Sequence, residues 1–193
     1  VMTVGEVGGE PSSEDVLAYA GYESNELNMV FTFDHMWCFK MDGKNSLETN
    51  LLDLKKVFNR YQTQLFDRGW HTLYWENHDQ IRHMSKYGNT GKYHSQSAKM
   101  LCLALYFMWG TPFVYNGQEI GNEDSWAFFD KWNYDWQQNP EIREFYLRLG
   151  RIWQDSDALR FGDIKRVRQD NGRSVISYVR RAESEEILVL VNK

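Results

Sequence analysis

Cysteine and proline are scarce in these 193 residues, with two and three copies respectively. Cys38 and Cys102 each sit in an apolar stretch, remote from any metal-ligand spacing, and read as free structural thiols, so no disulfide framework is expected. Three prolines and 14 glycines exclude collagen-like or low-complexity material. Positive charge is not in excess: 22 Lys and Arg stand against 27 Asp and Glu, and no basic cluster interrupts the balance. A general nucleic-acid or anionic-membrane surface is therefore excluded. Long hydrophobic runs are missing as well. The longest, Met100 to Trp109, has ten residues, where a bilayer span needs about 18. It reads as a buried helix. Aromatic residues are abundant: 8 Trp, 11 Tyr and 11 Phe imply a sizeable packed core in one or two domains.

The sequence begins at Val1 in a strand-like run with no targeting segment ahead of it, and stops in another, Leu188 to Val191. The expectation is a piece of a longer protein. Short β-branched or aromatic runs predict strands at Met2 to Gly5, Met29 to Phe33, Thr72 to Trp75 and Pro112 to Tyr115. Leu47, Leu51, Leu54, Phe58, Tyr61 and Leu65 form one helical stripe opened by Ser46, and Ser95 to Trp109 is a second long helix. In a third, Asn139 caps, Pro140 takes the first turn, and Ile142, Phe145, Tyr146, Leu149, Ile152 and Trp153 share a face. Four βα units in series imply a parallel sheet with helices outside it. From about Gly162 the period changes to strands at Asp163 to Arg168, Ser174 to Arg180 and Ile187 to Val191, with Asn171-Gly172 predicted as a hairpin turn of doubly positive φ. The predicted organisation is a βα region over residues 1–160 and the start of an antiparallel domain over 161–193.

Ligands of parallel α/β folds bind beyond the carboxyl ends of the strands. Glu6 follows the first predicted strand and Asp79 the third, 73 residues later, about two βα units apart on one rim. Two carboxylates among aromatics suit glycoside hydrolysis, in which one group protonates the leaving oxygen and another stabilises an oxocarbenium-like transition state. Spacing alone favours the plainer role of capping helices and binding loop backbone.

The residues themselves add to this. Val1 to Glu6 (VMTVGE), Glu26 to Met36 (ELNMVFTFDHM), Leu73 to Gln80 (LYWENHDQ) and Gly110 to Gly121 (GTPFVYNGQEIG) closely resemble, in order and spacing, the α-amylase superfamily, glycoside hydrolase family 13, nearest its oligo-1,6-glucosidase and α-glucosidase branch. The resemblance covers nearly all of the chain. It implies the second half of a (β/α)8 TIM barrel, strands five to eight, followed by the first strands of a C-terminal β-sandwich domain.

By the same resemblance Glu6 is the general acid/base, whose pKa must be raised by low-dielectric surroundings and neighbouring carboxylates. Asp79 is the transition-state stabiliser, and His78 hydrogen-bonds the same sugar. The nucleophile of this family is an Asp on the strand before that of Glu6, so the chain begins too late to contain it and is expected to be inactive alone. Asp34 is read as a local hydrogen-bonding group. Arg82 has two readings, contact with a substrate hydroxyl or anchoring of a loop carboxylate, and the second is favoured. Glu119 is read as structural, satisfying backbone donors. After Glu119 the chain departs from the α-glucosidase branch, because the Arg-Thr-Pro-Met-Gln-Trp segment is missing and only Asn122 to Gln138 intervenes. Trp126, Phe128, Phe129, Trp132, Tyr134 and Trp136 crowd this segment, either as a sugar-stacking platform or as packing.

No cofactor is expected, and the histidines show no zinc spacing. The expected partners are an oligosaccharide or α-glucan substrate and the missing N-terminal half of the barrel, with neither nucleic acid nor membrane. A cytoplasmic location is expected. The competing reading is a non-catalytic family-13 relative that keeps the barrel as a scaffold, and an intact Glu6, His78 and Asp79 count against it.

Overall fold

The computed structural model describes residues 1–38, 51–124, 127 and 129–192. Strand β1 (Val4–Val7) pairs in parallel with β2 (Met29–Thr32), placing Glu6 beside Phe31, and β3 (Thr72–Leu73) pairs in parallel with β4 (Thr111–Pro112). A single parallel bridge, Val30 to His71, joins the two pairs, so the four strands follow one another in sequence order as an arc. Strands β2, β3 and β4 are shorter than predicted, and β1, of the predicted length, lies two residues later than its apolar pattern suggested. Its position is set by pairing, with Val4 opposite Met29. Glu6 is consequently inside the strand and not beyond its end.

Helices cover the arc. Helix α1 (Ser13–Ala20), which the apolar pattern did not reveal, is nucleated by a reciprocal cap: the Ser12 hydroxyl accepts from the Asp15 N–H, while the Asp15 carboxylate accepts from the Ser12 N–H at 2.8 Å. A short helix α2 (Asp34–Trp37) follows β2. In α3 (Leu51–Gln64), Leu51, Leu54 and Tyr61 are buried as the stripe predicted, and Phe58 packs against the same core. Its predicted opening at Ser46 and Leu47 lies outside the described residues. After the short α4 (His83–Lys86), helix α5 (His94–Phe107) carries the longest apolar run and buries Ala98, Leu101, Cys102, Ala104 and Leu105. Both cysteines are free, and burial pushes the thiol pKa of Cys38 up to about 11.

Helix α6 (Pro140–Asp155) corrects one expectation. Asn139 precedes it in a left-handed conformation, φ 47°, and gives the helix no side-chain cap. Its side-chain amide donates instead to the Ile120 carbonyl at 2.9 Å, tying the helix to the 3-10 turn Gln118–Ile120 that follows β4. Ile142, Tyr146 and Leu149 are buried and Phe145 packs against them, but Ile152, at the end of the same face, is exposed.

Beyond α7 (Asp157–Arg160), β5 (Asp163–Arg166), β6 (Val175–Arg181) and β7 (Glu186–Asn192) form an antiparallel sheet in that order. The predicted hairpin turn is absent. Residues 167–174 connect β5 to β6, neither Asn171 nor Gly172 has positive φ, and the Asn171 carbonyl instead accepts from Ser174 and Val175. Lys55 of α3 secures this connection by donating to the Gly172 and Val175 carbonyls, at 2.5 and 2.6 Å. Ile176, Tyr178, Val189 and Val191 belong to the same apolar core as Leu101 and Tyr146, so the sheet packs directly onto α5 and its neighbours. No helix among the described residues is long and apolar enough to cross a membrane.

Candidate active site

The arc presents aromatic rings on its inner face. Phe31 meets Tyr74 and Phe113 edge to face, each at 5.1 Å between centroids. This is the alternation expected when residues two apart on neighbouring strands point to one side. Glu6 is exposed at the open side of β1, and its charge, together with burial as the larger cause, raises the Tyr74 hydroxyl well above the ordinary tyrosine range.

The chain leaves β3 through Tyr74 and Trp75, both buried, into the run Glu76-Asn77-His78-Asp79. Asn77 is buried and its side-chain oxygen accepts the Asp79 N–H at 3.0 Å, a local turn that orients the two residues between and after it. His78 and Asp79 touch at 3.3 Å, Nε2 to Oδ2, with side chains 52% and 57% exposed. Together with Asn77, Gln80, Ile81, Arg82, Tyr115, Asn116, Ala127, Asp130, Trp132 and Tyr134 they line a cleft of about 450 Å³ at the strand ends.

Arg82 enters this cleft from below. Its Nη2 lies 3.0 Å from Glu76 Oε1 and donates to the Asn116 carbonyl at 3.1 Å, and its guanidinium sits 5.3 Å over the Tyr115 ring. The anchoring of a loop carboxylate is thus present, and the carboxylate is Glu76. The Tyr134 hydroxyl donates to the same Asn116 carbonyl at 2.7 Å, and its pKa is raised by burial with Arg82 pulling the other way. Gly117, at φ 87°, allows Tyr134 to lie against the turn, because a Cβ there would enter the ring. Glu119 accepts the Gly117 N–H at 3.0 Å, the structural role read for it. Asp34 accepts from the Tyr61 hydroxyl and pairs with Arg60 at 2.9 Å, also a local role.

The structure therefore brings His78, Asp79 and Arg82 into one cleft with Trp132 and Tyr134. Glu6 is not among the described residues that line this cleft, and nothing among them encloses its carboxylate in the low-dielectric surroundings an acid needs. Trp126 and Phe128 lie outside the described residues, and Phe129 is 93% exposed. Glu76 is the residue that sequence reading overlooked. A carboxylate at a strand exit, with Arg and His six and seven residues on, was the available signal. Among the described residues no three His, Cys, Asp or Glu side chains converge so as to hold a metal ion.

Comparison with known proteins supplies the relationship. The model of the α-amylase catalytic domain matches residues 1–178. A probable oligo-1,6-glucosidase from Bacillus subtilis is 47% identical over 124 residues, 63% of this chain and 22% of that protein. A palatinase from Erwinia rhapontici is 44% identical over 126 residues, 62% of this chain and 23% of that protein. Among solved structures, the trehalose-6-phosphate hydrolase of Bacillus licheniformis superposes with a TM-score of 0.78 at 25% identity, covering 99% of this chain and 47% of that one. The chain thus spans less than half of each of these proteins. The arc of parallel strands is part of an α/β barrel, and the chain belongs to the α-amylase family, glycoside hydrolase family 13, with oligo-1,6-glucosidases among the relatives it resembles.

Proposed function

We propose that this chain supplies strands five to eight of the catalytic barrel of a retaining α-glucoside hydrolase, over residues 1–160, and the first strands of its C-terminal β domain, over 161–193. The observation that carries this reading is the cleft at the strand ends, in which His78 and Asp79 stand side by side on a loop held by buried polar contacts. A purely scaffolding barrel has no physical need for this pair, nor for a strand-borne carboxylate such as Glu6 on β1, one strand removed from β3.

In the proposed reaction a nucleophilic Asp from a strand outside this sequence attacks the anomeric carbon as Glu6 delivers its proton to the departing oxygen. Glu6 then takes a proton from water, whose oxygen displaces the enzyme ester. Asp79 and His78 hold hydroxyls of the sugar next to the scissile bond, and these bonds tighten as positive charge develops on the ring. The remaining barrel strands would close over β1 and shield Glu6 from water. Short α-glucans or branched oligosaccharides are the proposed substrates, with Trp132 and Tyr134 as ring-stacking faces.

Leaving-group dependence tests the assignment. In the longer protein carrying this sequence, Glu6→Gln should lose most activity on alkyl or sugar leaving groups and much less on nitrophenyl α-glucosides, where protonation matters less. Asp79→Asn should lose activity on both alike. Equal losses for Glu6→Gln across leaving groups would remove it from the acid role, and turnover by the isolated chain would defeat the half-barrel reading.

A further inference from the structure

Glu76 is fully buried, with Arg82 beside one carboxylate oxygen and His83 bonded to the other. Oε1 pairs with Arg82 Nη2 at 3.0 Å; Oε2 accepts from the His83 Nδ1–H at 2.9 Å and from the His83 backbone N–H. These contacts join Glu76, in the β3 exit loop, to Arg82 at the loop's end and to His83, the first residue of α4. The loop between, Asn77 to Ile81, is closed at its base by one side chain, and it carries His78 and Asp79. Within it the Gln80 N–H donates to the Asn77 carbonyl at 3.2 Å, and at its end the Lys86 N–H donates to the Arg82 carbonyl at 3.0 Å to begin α4.

Stability alone does not account for this arrangement. Taking a carboxylate and a guanidinium out of water costs several kcal/mol per ion, and apolar side chains of similar volume commonly serve stability as well or better. What apolar packing cannot supply is direction. A planar guanidinium donates only in its own plane, so Arg82 Nη2, held beside Glu76, is also aimed at the Asn116 carbonyl on the β4 exit loop, which lines the same cleft. One carboxylate therefore fixes two relationships: the shape of the loop bearing His78 and Asp79, and the distance of that loop from Asn116 and Tyr134.

We propose that Glu76 is the positioning residue of the site, acting through Arg82 and His83 to hold Asp79 and His78 at the orientation the transition state needs. The proposal rests on the reading of this rim as an α-glucoside site. Glu76 touches no substrate; its effect reaches the reaction through loop geometry, where a misplacement of about 1 Å can cost about 100-fold in rate.

The test uses Glu76→Gln in the longer protein carrying this sequence, with active molecules counted by titration with a covalent glucosidase inactivator. Gln keeps the volume but turns an N–H toward either Arg82 or His83, so the clamp opens at one end. The expected result is a fall in kcat of about 100-fold per active molecule on a nitrophenyl α-glucoside, with KM little changed. Hydrogen–deuterium exchange should quicken at residues 77–82 and nowhere else. Unchanged kcat per active molecule, with activity lost only in proportion to folded protein, would make Glu76 a stability residue and overturn the proposal. Unchanged exchange in the loop would overturn it equally. If the wild-type protein turns over no α-glucoside, the functional reading falls by itself and the exchange measurement still decides whether Glu76 orders the loop.

Discussion

The guanidinium of Arg180, on the central strand of the antiparallel sheet, donates to the carbonyl of Met108, just past the end of α5, at 2.7 Å. The same group reaches the carbonyls of Phe107, Leu159 and Gly162 at 3.0, 3.0 and 2.9 Å, and is completely buried. Burial lowers its pKa to about 10, so it remains a cation at neutral pH. It therefore satisfies carbonyls left over at two helix ends and bolts the sheet to the barrel helices. Arg180→Met should cost at least about 3 kcal/mol, since several buried acceptors lose their donor together. Urea unfolding measures this, and a change below about 1 kcal/mol would show that other donors serve those carbonyls.

Two buried histidines make stability depend on acid. His35 Nε2 donates to the Tyr74 carbonyl at 2.7 Å, and His71 Nε2 to the Trp109 carbonyl at 2.8 Å. Burial is the main cause that lowers both from 6.5 to about 4. The unfolded chain then binds more protons than the native one between these values. Stability contributed by the two neutral rings is complete above pH 6.5 and falls as the pH drops toward 4. Unfolding midpoints at pH 7, 5.5 and 4 should decline accordingly. The decline should be shallower in His71→Gln, which keeps a donor for Trp109 and cannot titrate. An equally steep decline in that variant would assign the dependence to the carboxylates.

Trp132 is half exposed and lines the cleft. Trp132→Ala should raise KM for an oligosaccharide several-fold more than for an aryl monoglucoside, because ring stacking is worth roughly 1 kcal/mol and only the longer ligand extends beyond the first sugar. Equal changes for both substrates would mark Trp132 as a packing residue.

Gly117→Ala should lower stability by about 1 kcal/mol from backbone strain, with a further loss from collision with Tyr134. The double variant with Tyr134→Ala should recover the collision part alone. Thermal unfolding of the two proteins separates the contributions, and no recovery would mean that the whole cost lies in the φ of 87°.

What the sequence made legible follows from periodicity. The stripes of α3 and α6 and the apolar run in α5 were readable because each must bury apolar side chains against the core. Strand ends were not, since they depend on partners: β1 is placed by Met29 to Thr32, far along the chain. The cap of α1 was written in Ser12 and Asp15, but it is a local hydrogen-bond signal that a search for apolar faces passes over. Asn171-Gly172 misled for the opposite reason, because a turn dipeptide has no force where eight residues, 167–174, make the connection. At the site, Asn77-His78-Asp79 was visible as a motif. Glu76 was not given a role, because its partners lie six and seven residues away in a loop without a repeating pattern.

The bridge between Val30 and His71 is the sole backbone link between the two strand pairs among the described residues. Side chains carry the rest of that seam: the Thr72 hydroxyl on the Val30 carbonyl at 3.2 Å, His35 on Tyr74, and the edge of Phe31 against Tyr74. The arc is thus stiff within each pair and compliant between them, like two plates joined along a sprung edge. Its curvature there is set by side-chain volume instead of by a hydrogen-bond ladder, so a methyl group gained or lost at Phe31, Thr72 or Tyr74 would alter how far apart β1 and β3 hold Glu6 and Asp79 without touching either carboxylate.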